Sequence, residues 1–138
     1  MGILFHSDGV DYNLPNSEKT KSWLEKCISL QNKKCGDINV VFCNDDYLLN
    51  INKTYLKHDY YTDIITFDYS QKQKISGDLF ISITRIVDNA KKLNIDFLDE
   101  LYRVIVHGVL HLCGFNDKTN EEIKIIRAKE NEMLLLIC

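Results

Sequence analysis

Proline is almost missing from this chain. Pro15 is the only one in 138 residues, and with no proline-rich linker, internal repeat or low-complexity tract the reading is one domain over residues 1–138. No C-x-x-C pair occurs among the five cysteines, Cys27, Cys35, Cys43, Cys113 and Cys138. An odd number without that spacing argues against a disulfide framework and a thiolate zinc knuckle, and it fits small buried hydrophobes in a reducing compartment. No apolar run approaches the ~20 residues that cross a bilayer, and residues 1–5 are no signal peptide, so a soluble, cytoplasmic protein is expected. A basic excess is missing too: 17 Lys and Arg stand against 20 Asp and Glu, a net charge of -3. That excludes a broad nucleic-acid footprint and leaves only local contacts to RNA.

What is present is a hydrophobic content of 45%, enough for a sizeable core. Residues 3–6 and 10–12 read as short strands around the turn signal Ser7-Asp8-Gly9, and residues 38–43, 64–69 and 78–83 as further strands. The last two are joined by a polar loop short enough for antiparallel neighbours. Helices are expected after Asn16 or Ser17, with Trp23, Leu24, Cys27 and Ile28 on one face and an end near Lys34. Others follow Asn44 or Asp45, with Leu48, Ile51 and Tyr55 apolar, and cover residues 84–93 and 97–113, the latter capped by Asp96. Thr119 to Glu122 has the capping-box pattern and opens a final helix turning Ile123, Ile126, Met133, Leu134 and Ile137 inward. The fold class is α+β: a small mixed four-stranded sheet packed with about five helices.

The helix over 97–113 is apolar nearly all round from Val104, which marks it as central. A polar stripe interrupts it: Glu100, Arg103, His107 and His111, at intervals of three, four and four, share one face. Two histidines four apart can offer both rings to one point, and Gly114 can end the helix so that Asp117 returns toward them. His107, His111 and Asp117 therefore form a candidate metal site with an open fourth position, suited best to one Zn(2+) per chain, with nickel, cobalt and manganese left open. An open position is the mark of a catalytic zinc, which can activate water for hydrolysis. The carboxylate lowers the formal charge of such a site from +2 to +1 relative to three histidines, so weaker polarisation of water is expected. The spacing H-x-x-x-H-x-x-G-x-x-D also echoes metzincin peptidases, whose glutamate base follows the first histidine. Here that position is Gly108, which turns the reading from amides toward phosphodiesters.

The run His107-Gly-Val-Leu-His111-Leu-Cys-Gly114-Phe-Asn-Asp117 resembles the signature H-G-x-L-H-L-x-G-[YF]-x-[HD] of the YbeY family of bacterial ribosomal RNA maturation factors. Leu49-Asn50, Tyr55, Asp59 and Thr62-Asp63-Ile-Ile-Thr-Phe67 are similar to an upstream family segment, and Gly77-Asp78-Leu79 to its strand start. The resemblance implies a zincin-like metal site on a central helix at the mouth of a cleft. It also implies a zinc-dependent, single-strand-specific endoribonuclease in small-subunit rRNA processing and ribosome quality control. Its implied partners are single-stranded RNA, the small ribosomal subunit, and ribosomal or GTPase assembly proteins. The family's third histidine is Asp117 here, and the arginine that follows its tyrosine is Leu56, with Lys57 and His58 beside the gap.

Arg103 and Asp63 are candidate catalytic residues: Arg103 as a phosphate contact or a partner of Glu100, Asp63 as a group orienting a ligand or water. Arg85, Lys91, Lys92, Lys72 and Lys74 are candidate RNA contacts beside the plainer reading of solvated surface, and Tyr60 and Tyr61 can stack bases or simply pack. His6 and His58 are assigned to no metal. Two readings compete with the endoribonuclease: a metal-dependent hydrolase of another substrate, peptidase-like included, and a ribosome-assembly factor whose metal is structural.

Overall fold

The computed structural model describes residues 2–58 and 61–137. Asp59 of the upstream motif, Tyr60 and Cys138 lie outside the described residues. The chain runs β1 (Ile3–Ser7), α1 (Ser17–Leu30), β2 (Lys34–Cys43), α2 (Asp45–Tyr55), β3 (Ile64–Asp68), β4 (Lys74–Ser82), α3 (Ile83–Leu93), α4 (Phe97–Leu112) and α5 (Asn120–Leu134). The four strands form one sheet in the order β1-β2-β4-β3. β1, β2 and β4 are parallel, and β3 closes the other side antiparallel to β4. This is the α+β arrangement expected, with a mixed sheet and five helices. No helix among the described residues is long and apolar enough to cross a membrane.

Several boundaries moved for identifiable reasons. Residues 10–12 form no strand; Tyr12 instead sets its ring edge-on to Phe42 and Phe97, which makes the segment a flap of core. α1 stops at Leu30, before Lys34, because β2 starts early by pairing Lys34 with Lys74 in β4. Asn16 takes a left-handed backbone (φ 52°) and gives α1 no side-chain cap, and Asp96 likewise makes no capping bond. Asn44, Ser82 and Thr119 do cap, each accepting from the backbone three residues on. Ile123, read as inward, is exposed, and so is Tyr55 at the end of α2.

α4 is the central helix. Leu101, Val104, Ile105, Val106, Val109, Leu110 and Leu112 are buried in one cluster with Leu79 and Ile81 of β4 and Ile38, Val40 and Phe42 of β2. The helix can lie this close to the sheet because residue 108 has no side chain. A β-carbon there would stand 2.8 Å from Ile64 Cδ1 and 3.0 Å from both Leu79 methyls. Gly77 is tighter still, since a β-carbon would meet the Phe67 carbonyl oxygen at 2.4 Å and Leu112 Cδ2 at 2.8 Å.

Side-chain ends can yield where backbone cannot, so urea unfolding is expected to rank two variants. Gly108→Ala should lose about 1 kcal/mol, overpacking offset by helix propensity. Gly77→Ala should lose about 3 kcal/mol, because a sheet carbonyl must move. Equal losses would show that the α4–sheet distance is not set by these glycines.

Candidate metal centre

α4 ends by a Schellman turn. Gly114 takes φ 107°, its N–H donates to the His111 carbonyl at 3.0 Å, and the Phe115 N–H donates to the Leu110 carbonyl at 3.1 Å. α5 begins five residues later with the full Thr119–Glu122 capping box. Glu122 Oε1 also accepts from the Lys118 N–H at 3.2 Å, and these bonds hold the Glu122 carboxyl below its ordinary pKa, the Thr119 backbone foremost. Asp117 is thus fixed between a helix stop and a helix start, each hydrogen-bonded.

Each imidazole is oriented through its outer nitrogen. His111 Nδ1 faces the Phe115 carbonyl oxygen at 2.8 Å, and a carbonyl only accepts, so Nδ1 carries the hydrogen. His107 Nδ1 lies 2.6 Å from Glu130 Oε2 and donates to that carboxylate. Both Nε2 atoms are then left with inward lone pairs, 2.9 Å apart. Asp117 Oδ2 completes a triangle, 3.4 Å from His107 Nε2 and 3.3 Å from His111 Nε2.

This donor set fits a divalent cation. Ligands about 2.0–2.1 Å from a tetrahedral zinc stand about 3.3–3.4 Å from one another. The two edges to Asp117 have that length, and the nitrogen–nitrogen edge is shorter. Two imidazole nitrogens and a carboxylate oxygen converging this closely favour a positive charge at the centre, which a metal ion or a ring proton supplies. Among the described residues, these three are the group of His, Cys, Asp and Glu side chains placed to hold a metal ion.

The surroundings are electronegative. Burial works against a charged His107 ring, yet the hydrogen bond and charge of Glu130, with Asp117 and Asp63, outweigh it and lift its pKa. Burial likewise opposes the Glu130 charge, and the bonds from His107 and Arg103 overcome it, leaving its pKa low. Burial raises Asp63, with His107 opposing.

Glu130 is the member that sequence reading missed. It is 2% exposed, and its signal was an acid on the buried stripe of α5, four residues after Ile126 and three before Met133. Arg103 donates to Glu130 Oε1 at 3.0 Å and to Asn131 Oδ1 at 2.8 Å. Its hydrogen-bonded partner is therefore Glu130 rather than Glu100. Glu100 itself is 5% exposed with Oε1 unpartnered, and burial raises its pKa.

The three donors open into a cavity of about 560 Å³ lined by Asn52 of α2, by Leu56 and His58 after it, by Thr62 and Asp63 leading into β3, by Ile64 to Thr66 and Asp68 of β3, and by Lys118. Asp63 and His107 also line a second cavity of about 240 Å³ behind the ligand stripe, with Glu100, Arg103, Arg127 and Glu130. Other candidates fall elsewhere. Arg85 binds Asp45 at 3.0 Å and lies over the Tyr61 ring, while Lys72, Lys74, Lys91 and Lys92 are exposed away from the cavity walls. His6 bonds Asn39.

A sequence model described as Endoribonuclease YbeY matches residues 8–137. The chain belongs to the endoribonuclease YbeY family. It is 48% identical to a protein named Endoribonuclease YbeY from Azobacteroides pseudotrichonymphae genomovar. CFP2, over 97% of this chain and 96% of that one. A second protein of that name, from Parabacteroides distasonis, is 42% identical over 99% and 96%. Its fold matches a solution structure of a Thermotoga maritima protein with a TM-score of 0.63 and 26% identity, covering 95% of this chain and 88% of that one.

Glu130→Gln keeps an acceptor for His107 but removes the buried charge. Competition against a chelator is expected to show zinc affinity about 10–100-fold lower, the usual cost of losing a partner behind a histidine ligand, with the circular-dichroism spectrum retained. Unchanged affinity would separate Glu130 from metal binding.

Proposed function

We propose that this chain is a zinc-dependent endoribonuclease that cleaves single-stranded RNA, with His107, His111 and Asp117 as metal ligands. The observation that carries the reading is the inward triangle of two imidazole nitrogens and one carboxylate oxygen at the head of an open groove, in a chain of a family named for RNA cleavage. A zinc ion held by His107, His111 and Asp117 would supply Lewis acidity toward a phosphate oxygen and would make a nearby water more acidic.

The chain's own residues supply the rest. Glu130 and the Phe115 carbonyl hold the rings so that both Nε2 atoms face the groove. Arg103 is a positioning residue, since its guanidinium holds Glu130 rather than facing the groove. Asp63 lies on the wall shared by both cavities, where burial makes its carboxyl hold a proton more readily than an ordinary aspartate. It is the residue we assign to orienting water or carrying a proton. His58 and Lys118 stand on the groove wall where phosphates would pass. Leu56, at the position of the family motif's arginine, lines it as well and offers no bidentate clamp. The substrate that the family resemblance implies is ribosomal RNA of the small subunit, acted on in the cytoplasm during processing and quality control.

The peptidase alternative loses its base on steric grounds. Residue 108 faces the sheet, and a glutamate there would be driven into Ile64 and Leu79.

Single-turnover cleavage of a labelled single-stranded RNA tests the proposal. Cleavage is expected from untreated protein holding about one zinc per chain by elemental analysis. It should be lost with chelator, restored by zinc, and reduced at least about 100-fold in His111→Ala. Cleavage that persists in chelator and in His111→Ala would overturn the metal-dependent reading.

A further inference from the structure

β3 is an edge strand, and its register shows which backbone groups the sheet uses. The Ser82 N–H donates to the Asp63 carbonyl at 3.0 Å and the Tyr69 N–H to the Ser76 carbonyl at 2.8 Å. Between those ends Ile64 faces Ile81 and Asp68 faces Gly77 without a slip. In an antiparallel ladder the bonded pairs alternate, so residues 63, 65, 67 and 69 exchange bonds with β4. Ile64, Thr66 and Asp68 consequently turn their N–H and C=O groups to the free edge. Among the described residues, no partner bonds the main chain of Thr66 or Asp68.

That edge borders the groove. Ile64, Thr66 and Asp68 line the same cavity as His107, His111 and Asp117. Proteins usually cover or distort such an edge, because free strand groups invite pairing. Here, among the described residues, the edge runs without a bulge and no further strand pairs with it beside the metal ligands. Asp68 Oδ1 accepts from the Ser70 N–H at 2.8 Å, which ties one carboxylate oxygen into the hairpin.

The chemistry of the edge suits an extended RNA backbone. Outward groups recur every second residue, about 6.8 Å apart, a step on the scale of one nucleotide in a stretched strand. An N–H donor suits a phosphate oxygen, and a C=O acceptor suits the ribose 2′-hydroxyl, the group that separates RNA from DNA. A peptide could add to the same edge as a strand. The missing base at residue 108 and the donor triangle at the head of the groove, which could hold a metal ion, favour RNA.

We propose that the free edge of β3 binds the sugar-phosphate backbone of single-stranded RNA beside the cleavage site, with the main-chain N–H groups of Thr66 and Asp68 donating to phosphate oxygens and the Thr66 carbonyl accepting from a 2′-hydroxyl. This rests on the endoribonuclease reading and extends it to how the strand is held and told from DNA.

Replacing threonine 66 with its α-hydroxy acid turns one amide into an ester and deletes the outward N–H. Thr66→Pro deletes it by another route, tolerable because an edge residue without a ladder bond is where a strand accepts proline. With melting temperature confirming the fold, both proteins should bind a labelled single-stranded RNA about tenfold more weakly, the loss of one charge-assisted hydrogen bond, and show a larger effect on KM than on kcat. Against the original protein, RNA carrying 2′-deoxyribose next to the cut should bind more weakly than all-ribose RNA. Folded ester and proline proteins with unchanged KM would overturn the edge assignment alone. Displacement of the RNA probe by an extended peptide, with peptide binding sensitive to the ester, would assign the edge to peptide and overturn it as well. Original protein that neither binds nor cleaves RNA overturns the endoribonuclease reading itself.

Discussion

Glu130 is a carboxylate that the fold has taken out of water, and the candidate centre is organised around satisfying it. Removing such a charge from solvent costs several kcal/mol unless strong donors replace the water. Here the donors are His107 Nδ1 at 2.6 Å and Arg103 Nη1 at 3.0 Å, with Arg127 3.7 Å away. The bond from His107 has two effects at once. It satisfies the acid, and it fixes the ring so that the other nitrogen faces His111 and Asp117. α5 is therefore more than a cover for α4, because it carries the charge that orients the first imidazole.

The second imidazole is oriented by backbone alone. The Schellman turn needs a residue that tolerates φ near 107°, and Gly114 meets that need, so it is the backbone angle and not crowding at a β-carbon position that selects glycine there. The same turn aims the Phe115 carbonyl at His111 Nδ1 and sends the chain toward Asp117. The capping box then arrests the chain before it can drift. Three ligand atoms come from eleven consecutive residues, so their geometry depends on two local helix-end motifs more than on long-range packing. The long-range contribution is the one Glu130 supplies.

These differences in origin explain what could be read in the sequence. Local devices are legible: the histidine pair, the helix-ending glycine, the capping box, the buried character of α4 and the hairpin of β3 and β4 all follow from short-range spacing. Sheet order was not, because β1-β2-β4-β3 depends on which crossovers the helices make. Residues 10–12 looked like a strand because Val10 and Tyr12 alternate, but their ring contacts, not a ladder, hold them. Glu130 was hidden by being polar: a search for the apolar stripe of α5 passes over the acid seated in it. Arg103 was placed on the ligand face and read as a phosphate contact or a partner of Glu100, whereas its hydrogen-bonded partner Glu130 comes from another helix, which helical spacing within α4 does not reveal.

Gly108 shows how one absence serves two purposes. Without a side chain there, α4 settles against Ile64 and Leu79, and Ile64 belongs to the edge strand whose outward groups face the groove. The close approach that makes room for no glutamate base also draws β3 beside the histidine face of α4, so one cavity is lined by the ligands on one side and by residues of β3 on the other. A larger residue at 108 would push the sheet away and widen the groove. Steric closeness at residue 108 thus couples what chemistry the site can lack to how an extended substrate can be held along it.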